Sequence, residues 1–312
     1  MKPAIFDYEV ATSIEHAVRL LSSSDNSKII AGGQSLMPII NFRLLEPSLL
    51  VDITRLPDLQ GIKSTLGGGI SIGASTKHHE LETSLLIKER FPLISDAMKH
   101  VAHLAIRNKG TIGGSLSHAD PAAELPLLML LLDAVLHITG PTGLRKISVK
   151  EFLVGALTTI LEDNEILTRI DIPSLPKRTN FAFNELSQRA GDLALCAVGV
   201  TISMSSGMLG RTKKIKDARI GLMGVNDTAI RISEAENLLI GRSSLDSSII
   251  DQVAQICTST ISPNTDLHAS ADFRRHLALQ MTKKTLTEAW EKAQASKTSE
   301  NQNKENQSEE NL

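Results

Sequence analysis

The chain has 312 residues, more than one typical domain, and its 41 % hydrophobic content suffices for two or three units with sizeable cores. With 33 Lys+Arg against 35 Asp+Glu, a net charge of −2 and only 3 % aromatic residues, it has neither the electrostatic field nor the stacking platforms of a nucleic-acid binder. Its two cysteines, Cys196 and Cys257, are too few for a disulfide framework, a zinc site or a cysteine-ligated iron–sulfur cluster, which takes about four thiolates. The opening MKPAIFDYEV lacks the apolar core of a signal peptide. The longest apolar run, Leu125–Leu132, is interrupted by Pro126 and falls far short of the roughly 20 residues that span a bilayer. A soluble, cytoplasmic chain without membrane insertion is therefore expected.

In chain order, Thr12–Leu21 has the apolar spacing of a helix, with Thr12 and Glu15 placed as a capping box. Lys28–Ile30 reads as a short strand that delivers the turn Gly32-Gly33, and Leu49–Ile53 as another. The turn lies in Ala31-Gly32-Gly33-Gln34-Ser35-Leu36, where the absence of Cβ atoms lets backbone N–H groups approach a phosphate. Gly67–Ala74, GGGISIGA, does not complete a dinucleotide-binding fingerprint: after Gly67 and Gly69 the third glycine falls due at Ile72. A glycine-rich turn into a strand is the better reading. Thr76–Glu82 and Pro92–His103 are predicted helices. His78, His79, His100 and His103 lack a matched carboxylate motif and read as solvated histidines, so no metal site is assigned.

Arg107–Gly110 leads into a second glycine pair, Thr111-Ile112-Gly113-Gly114-Ser115, with an apolar helix expected from Ala122. Two such turns suit a diphosphate, which offers two phosphates, and a following helix adds its positive end. Gly113-Gly114-Ser115-Leu116-Ser117 lacks the last glycine of a nucleophile elbow, which argues against hydrolase chemistry. Asp120 and Glu124 straddle the helix start; as residues they serve equally to stabilise the helix dipole or to meet a ligand. Ala134–Ile138 and Leu144–Ser148 flank a turn and read as a hairpin, and Glu165–Ile172 as a strand.

Pro173–Thr179 marks a boundary. Beyond it, Asn180–Leu186, Ala194–Met204 and Ile215–Val225 read as strands, with the polar loop Gln188–Leu193 between the first two. Ser233–Ile240 and Asp246–Ile261 read as helices. Asp266–Lys284 closes the domain, with Phe273, Leu277 and Met281 forming a core stripe and Arg274 and Arg275 outside it. The tail 295–312 has almost no apolar residue and is expected to be disordered.

AGGQSLMPIINFR (31–43), TIGGSLSHADPAAELP (111–126) and the Asp266–Lys284 block together resemble the FAD-binding medium subunit of the molybdenum hydroxylases, the xanthine dehydrogenase and aerobic carbon monoxide dehydrogenase group, over about residues 1–286. The resemblance implies an α+β chain. Its FAD-binding fold is not a Rossmann fold but of the vanillyl-alcohol-oxidase/CO-dehydrogenase-flavoprotein type, with subdomains at 1–56 and 57–174 and an α+β C-terminal domain at 178–286. It implies FAD held by Ala31–Leu36 and Thr111–Ser115, with Asp120 or Glu124 accepting from ribityl or ribose hydroxyls. It also places Leu193 near the flavin ring, where some members carry an aromatic; leucine can pack on the ring but cannot stack or donate a hydrogen bond. It implies two partners, a small subunit with [2Fe–2S] clusters and a large subunit with molybdopterin. Electrons would pass from the clusters through FAD to an external acceptor, with no catalytic acid or base in this chain. The alternative of a self-contained FAD oxidoreductase would bring its own acids and bases around the ring, and no such cluster is apparent.

Overall fold

The computed structural model describes residues 2–205 and 213–309, with side chains as far as 295. The expectation of a disordered tail over 295–312 therefore lies outside the described side chains. The chain divides into two compact units, Met1–Ser174 with Arg189–Leu193, and Leu175–Gln188 with Ala194–Leu312.

The first unit opens with β1 (Asp7–Val10), α1 (Ile14–Ser22), β2 (Ser27–Ile30), α2 (Leu36–Asn41) and β3 (Leu49–Asp52), whose strands form a parallel sheet in the order β1–β3–β2. Ala17, Val18 and Leu21 of α1 are buried with Leu49, Val51 and Ile53 in one apolar cluster. The α1 cap is Ser13 rather than Thr12: Ser13 is extended and its Oγ accepts from His16 N at 3.0 Å. Thr12 Oγ1 instead meets His16 Nδ1 at 3.0 Å, so Glu15 falls one position short of a capping box.

A second sheet follows. It is built from β4 (Ile62–Ser64), β5 (Ile70–Gly73), β6 (Val135–Gly140), β7 (Gly143–Ser148) and β10 (Ile166–Ile172), with β8 (Leu153–Gly155) and β9 (Thr158–Thr159) forming a separate small pair. Its order is β4–β5–β10–β6–β7 and every pairing is antiparallel, so β10, the last of these strands in sequence, sits at the centre. Ile72, the residue that breaks the dinucleotide fingerprint, is fully buried on β5.

Between β5 and β6 run six short helices: α3 (His78–Thr83), α4 (Leu85–Arg90), α5 (Pro92–Ala97), α6 (Leu104–Arg107), α7 (Ile112–His118) and α8 (Glu124–Leu131); α9 (Val149–Phe152) follows β7. The helix expected over Pro92–His103 stops at Ala97; further on, Ala102 takes a left-handed φ of 42° and His103 stands at the N-cap of a new helix. The helix expected from Ala122 begins at Glu124. Asp120 Oδ1 accepts from Ala122 N at 2.8 Å and Asp120 O from Ala123 N at 3.0 Å, closing an Asx turn ahead of it. All eight residues of α8 are buried.

The second unit is one antiparallel sheet, β11 (Thr179–Ser187), β12 (Ala194–Met204), β13 (Ile215–Met223) and β14 (Ile230–Arg231), in sequence order, with helices α10 (Ser233–Leu239), α11 (Ser247–Thr260) and α12 (Ala271–Glu309). Every residue of β12 is buried, as the unbroken apolar run Ala194–Met204 requires. The expected stripe on α12 is partly corrected. Leu277 and Met281 are core residues, but Phe273 is 46 % exposed and Arg274 only 7 %. The Arg274 guanidinium donates to Leu195 O at 2.6 Å, Gly224 O at 2.7 Å and Asp266 Oδ2 at 2.7 Å. A buried cation so fully partnered is compatible with a core position.

Candidate cofactor site

The two glycine-pair segments meet within the first unit. A Cβ added to Gly32 would lie 2.5 Å from Lys109 O and 2.7 Å from Gly110 Cα, so only glycine permits this approach to the residues that precede Thr111. Gly33 adopts φ 68°, a left-handed conformation that bends the chain out of β2 into α2. Its carbonyl accepts from Met37 N at 3.1 Å. The N–H groups of Gly33, Gln34, Ser35 and Leu36 have no acceptor among the described residues, and Ser35 provides no side-chain cap to α2. Consecutive unpartnered N–H groups at a helix start make an anion-binding concavity. The Gln34 side chain folds back, donating from Nε2 to Gly32 O at 2.8 Å, and leaves the backbone row open.

The second segment is organised differently. Gly113 and Gly114 lie in the first turn of α7 rather than in a loop, and their N–H groups are already used. Ile112 N donates to Thr76 O at 3.0 Å, Gly113 N to Ala74 O at 2.8 Å and Gly114 N to the capping Thr111 Oγ1 at 3.1 Å. Gly113 is explained by packing, since a Cβ there would lie 2.6 Å from both Ala74 Cβ and Ala74 O. A Cβ on Gly114 would meet only Thr111 Oγ1, at 2.9 Å. Thr111, Ile112 and Gly113 are buried, whereas Gly114 and Ser115 are partly exposed. This segment therefore supplies a surface that a ligand can approach closely, and the first segment supplies the free donors.

Ala31 joins β2 to the first turn and is half-buried. Asp120 is tied into its Asx turn through Oδ1. Glu124, at the first turn of α8, is 8 % exposed, and burial pushes its carboxyl up to about 7. It is thus not simply a charge on the helix dipole. Leu193 is 63 % exposed and closes the segment Arg189–Leu193, which belongs to this unit. In that segment Gly191 has φ 87°, and a Cβ there would lie 2.7 Å from the His103 ring.

Sequence reasoning missed the residues that hold the two segments in place. His78 is not solvated: it is 7 % exposed, Nε2 lies 3.0 Å from Thr111 O, and burial pushes its imidazole down to about 4. The only signal in the sequence was Gly110, directly before Thr111, whose lack of a side chain leaves room for the His78 ring. No cluster of His, Cys, Asp or Glu suited to a metal exists among the described residues. A diphosphate-bearing cofactor fits this arrangement, because four free N–H groups in a row stand beside a contact surface that glycine keeps open.

Comparison with known proteins gives the same reading. The sequence profile of the FAD-binding domain in molybdopterin dehydrogenase matches residues 4–175, and that of the CO dehydrogenase flavoprotein C-terminal domain matches residues 181–289. The chain is 43 % identical to the 6-hydroxypseudooxynicotine dehydrogenase complex subunit alpha of Paenarthrobacter nicotinovorans, over 96 % of this chain and 99 % of that one. It is 33 % identical to the carbon monoxide dehydrogenase medium chain of Hydrogenophaga pseudoflava, over 93 % and 99 %. Among solved structures it superposes on a chain of quinoline 2-oxidoreductase from Pseudomonas putida 86 with a TM-score of 0.87 at 36 % identity, covering 95 % and 99 %.

Proposed function

The chain belongs to the family of FAD-binding subunits of molybdopterin dehydrogenases, and from that premise we propose that it carries electrons from the iron–sulfur clusters of a small partner subunit to an external acceptor. Its cofactor is FAD and it is a subunit of an oxidoreductase. The substrate would be oxidised on a large molybdopterin subunit. Relatives named as a medium chain and as a complex subunit support a multi-subunit assembly. No helix among the described residues is long and apolar enough to cross a membrane, and we place the complex in the cytoplasm.

Bound FAD supplies the electron-accepting and electron-donating chemistry that amino-acid side chains lack. This chain binds and orients it. The N–H row of Gly33–Leu36 receives the diphosphate, and Gly32 and Gly114 keep the approach clear. Thr111–Ser115 forms the facing wall. Glu124, with its carboxyl near 7, can accept from or donate to a ribityl or ribose hydroxyl at neutral pH. Asp120 and Leu193 complete the set, Leu193 offering an apolar surface to the ring.

The observation that carries this reading is the open N–H row of Gly33–Leu36 beside Gly110. The test is the flavin content of the purified chain. One FAD per chain is expected, and acid precipitation should leave all yellow colour in the supernatant, since Gln34 offers no nucleophile for covalent attachment. Colourless protein that takes up no added FAD, or colour retained in the pellet, would contradict it.

A further inference from the structure

Gly110 stands between Gly32 and His78, and a glycine keeps each of these two contacts close. On one side is Gly32, whose added Cβ would lie 2.7 Å from Gly110 Cα. On the other is the imidazole of His78: a Cβ on Gly110 would lie 3.0 Å from its Cε1 and 3.1 Å from its Nδ1. The backbone of α3 reinforces this contact. His78 N donates to Gly110 O at 2.9 Å, and Lys77 pairs with Thr111 in an isolated antiparallel bridge. The ring adds a bond of its own. Thr111 O can only accept, so the 3.0 Å contact assigns the proton to Nε2. Nδ1 is then a lone-pair acceptor, buried and without a partner among the described residues.

We propose that His78 is a positioning residue for FAD: its neutral imidazole, fixed by Thr111, backs Gly110 against Gly32 and so sets the spacing between the two segments that hold the cofactor. The proposal rests on the FAD-binding reading above and assigns His78 no contact with the cofactor. An unpaired buried acceptor at Nδ1 is costly in a residue whose only task is filling space. A phenylalanine would fill the same volume without that cost, so the retained group is the Nε2–H donor to Thr111. That bond holds Thr111, which in turn caps α7 and sets the wall at Gly114.

The test compares three variants of the full chain, stripped of flavin and titrated with FAD, with the melting of the flavin-free form measured alongside. His78→Gln can place an amide N–H near the Nε2 position, His78→Asn only near Nδ1, and His78→Phe keeps bulk without a donor. FAD binding by His78→Gln should stay within about threefold of the unsubstituted chain, while His78→Asn and His78→Phe weaken it about tenfold or more, as expected for an unpaired buried carbonyl. The order Gln above Asn is the decisive readout, and it holds even if His78→Phe fails to fold. Equal FAD affinity for Gln and Asn, or full affinity for Phe, would overturn the proposal. If the unsubstituted chain takes up no FAD at all, the cofactor assignment itself falls, and the two failures are thereby distinguished.

Discussion

A valine at position 33 would have to adopt a φ of 68° with Met37 Cγ already 3.4 Å from its Cβ, and its branches would stand beside the open N–H row. Gly33→Val is therefore expected to lower FAD affinity at least a hundredfold, about 3 kcal/mol, while the flavin-free chain still melts cooperatively. Gly114→Val should act likewise, because only Thr111 Oγ1 is near its added Cβ. Gly113→Val should instead destabilise the flavin-free chain, since Ala74 leaves it no room. Full flavin occupancy in the first two variants would make these turns structural only. Glu124 and His78 give opposing pH signatures. The Glu124 carboxyl rises from 4.5 to about 7, so its contribution to stability is present below about 4.5 and lost as pH rises through 7. The His78 imidazole falls from 6.5 to about 4, so its contribution is present above about 6.5 and lost as pH falls through 4. Glu124→Gln should leave the His78 trend exposed: urea denaturation of the flavin-free variant should show stability rising from pH 5 to pH 8, relative to the unsubstituted chain, by about 3 kcal/mol. An unchanged profile would contradict burial of an ionisable Glu124.

The elements that were legible in the sequence are those whose burial is written in their own residues. The run Ala194–Met204 matches β12 at both ends, and the alternation in Asn180–Leu186 lies within β11. Both glycine pairs were visible for the same reason. What was not legible depends on partners remote in sequence. The cap of α1 turns on the extended backbone of Ser13, and the buried His78 answers to Thr111, which no local pattern connects to it. Nor could spacing reveal that the N–H groups of Gly113 and Gly114 would be taken up by Ala74 and Thr111, leaving the free donors to the first segment. Arg274 is the clearest such case. A cation at the edge of an apolar stripe reads as exposed, yet it ties α12 to the end of β12 and to Gly224. Arg274→Met should keep the helix but leave the Leu195 and Gly224 carbonyls unpaired, costing on the order of 3 kcal/mol in urea denaturation. A loss below about 1 kcal/mol would show that those carbonyls find other donors. In α8, where all eight residues are buried, Leu128→Ala should cost about 2–5 kcal/mol by the same measurement.

At the scale of the whole molecule, the chain is a flavin-binding subunit. Cys196 and Cys257 are buried and free, their thiols pushed up to about 12 by burial, and two thiols fall short of the about four that a cysteine-ligated cluster takes. No metal-binding group of side chains occurs among the described residues. Residues 181–289 match a domain that accompanies the flavin fold in CO dehydrogenase. On the proposed reading electrons reach FAD from another chain, and co-expression with the iron–sulfur and molybdopterin subunits should yield a heteromeric complex. The most direct test is anaerobic mixing of the FAD-loaded chain with the organic substrate of its complex, following the flavin absorbance with and without those subunits. The absorbance should bleach only when both partners are present. Rapid bleaching of the lone chain by the substrate would mean that it oxidises the substrate itself, and would contradict its assignment as an electron-transfer subunit.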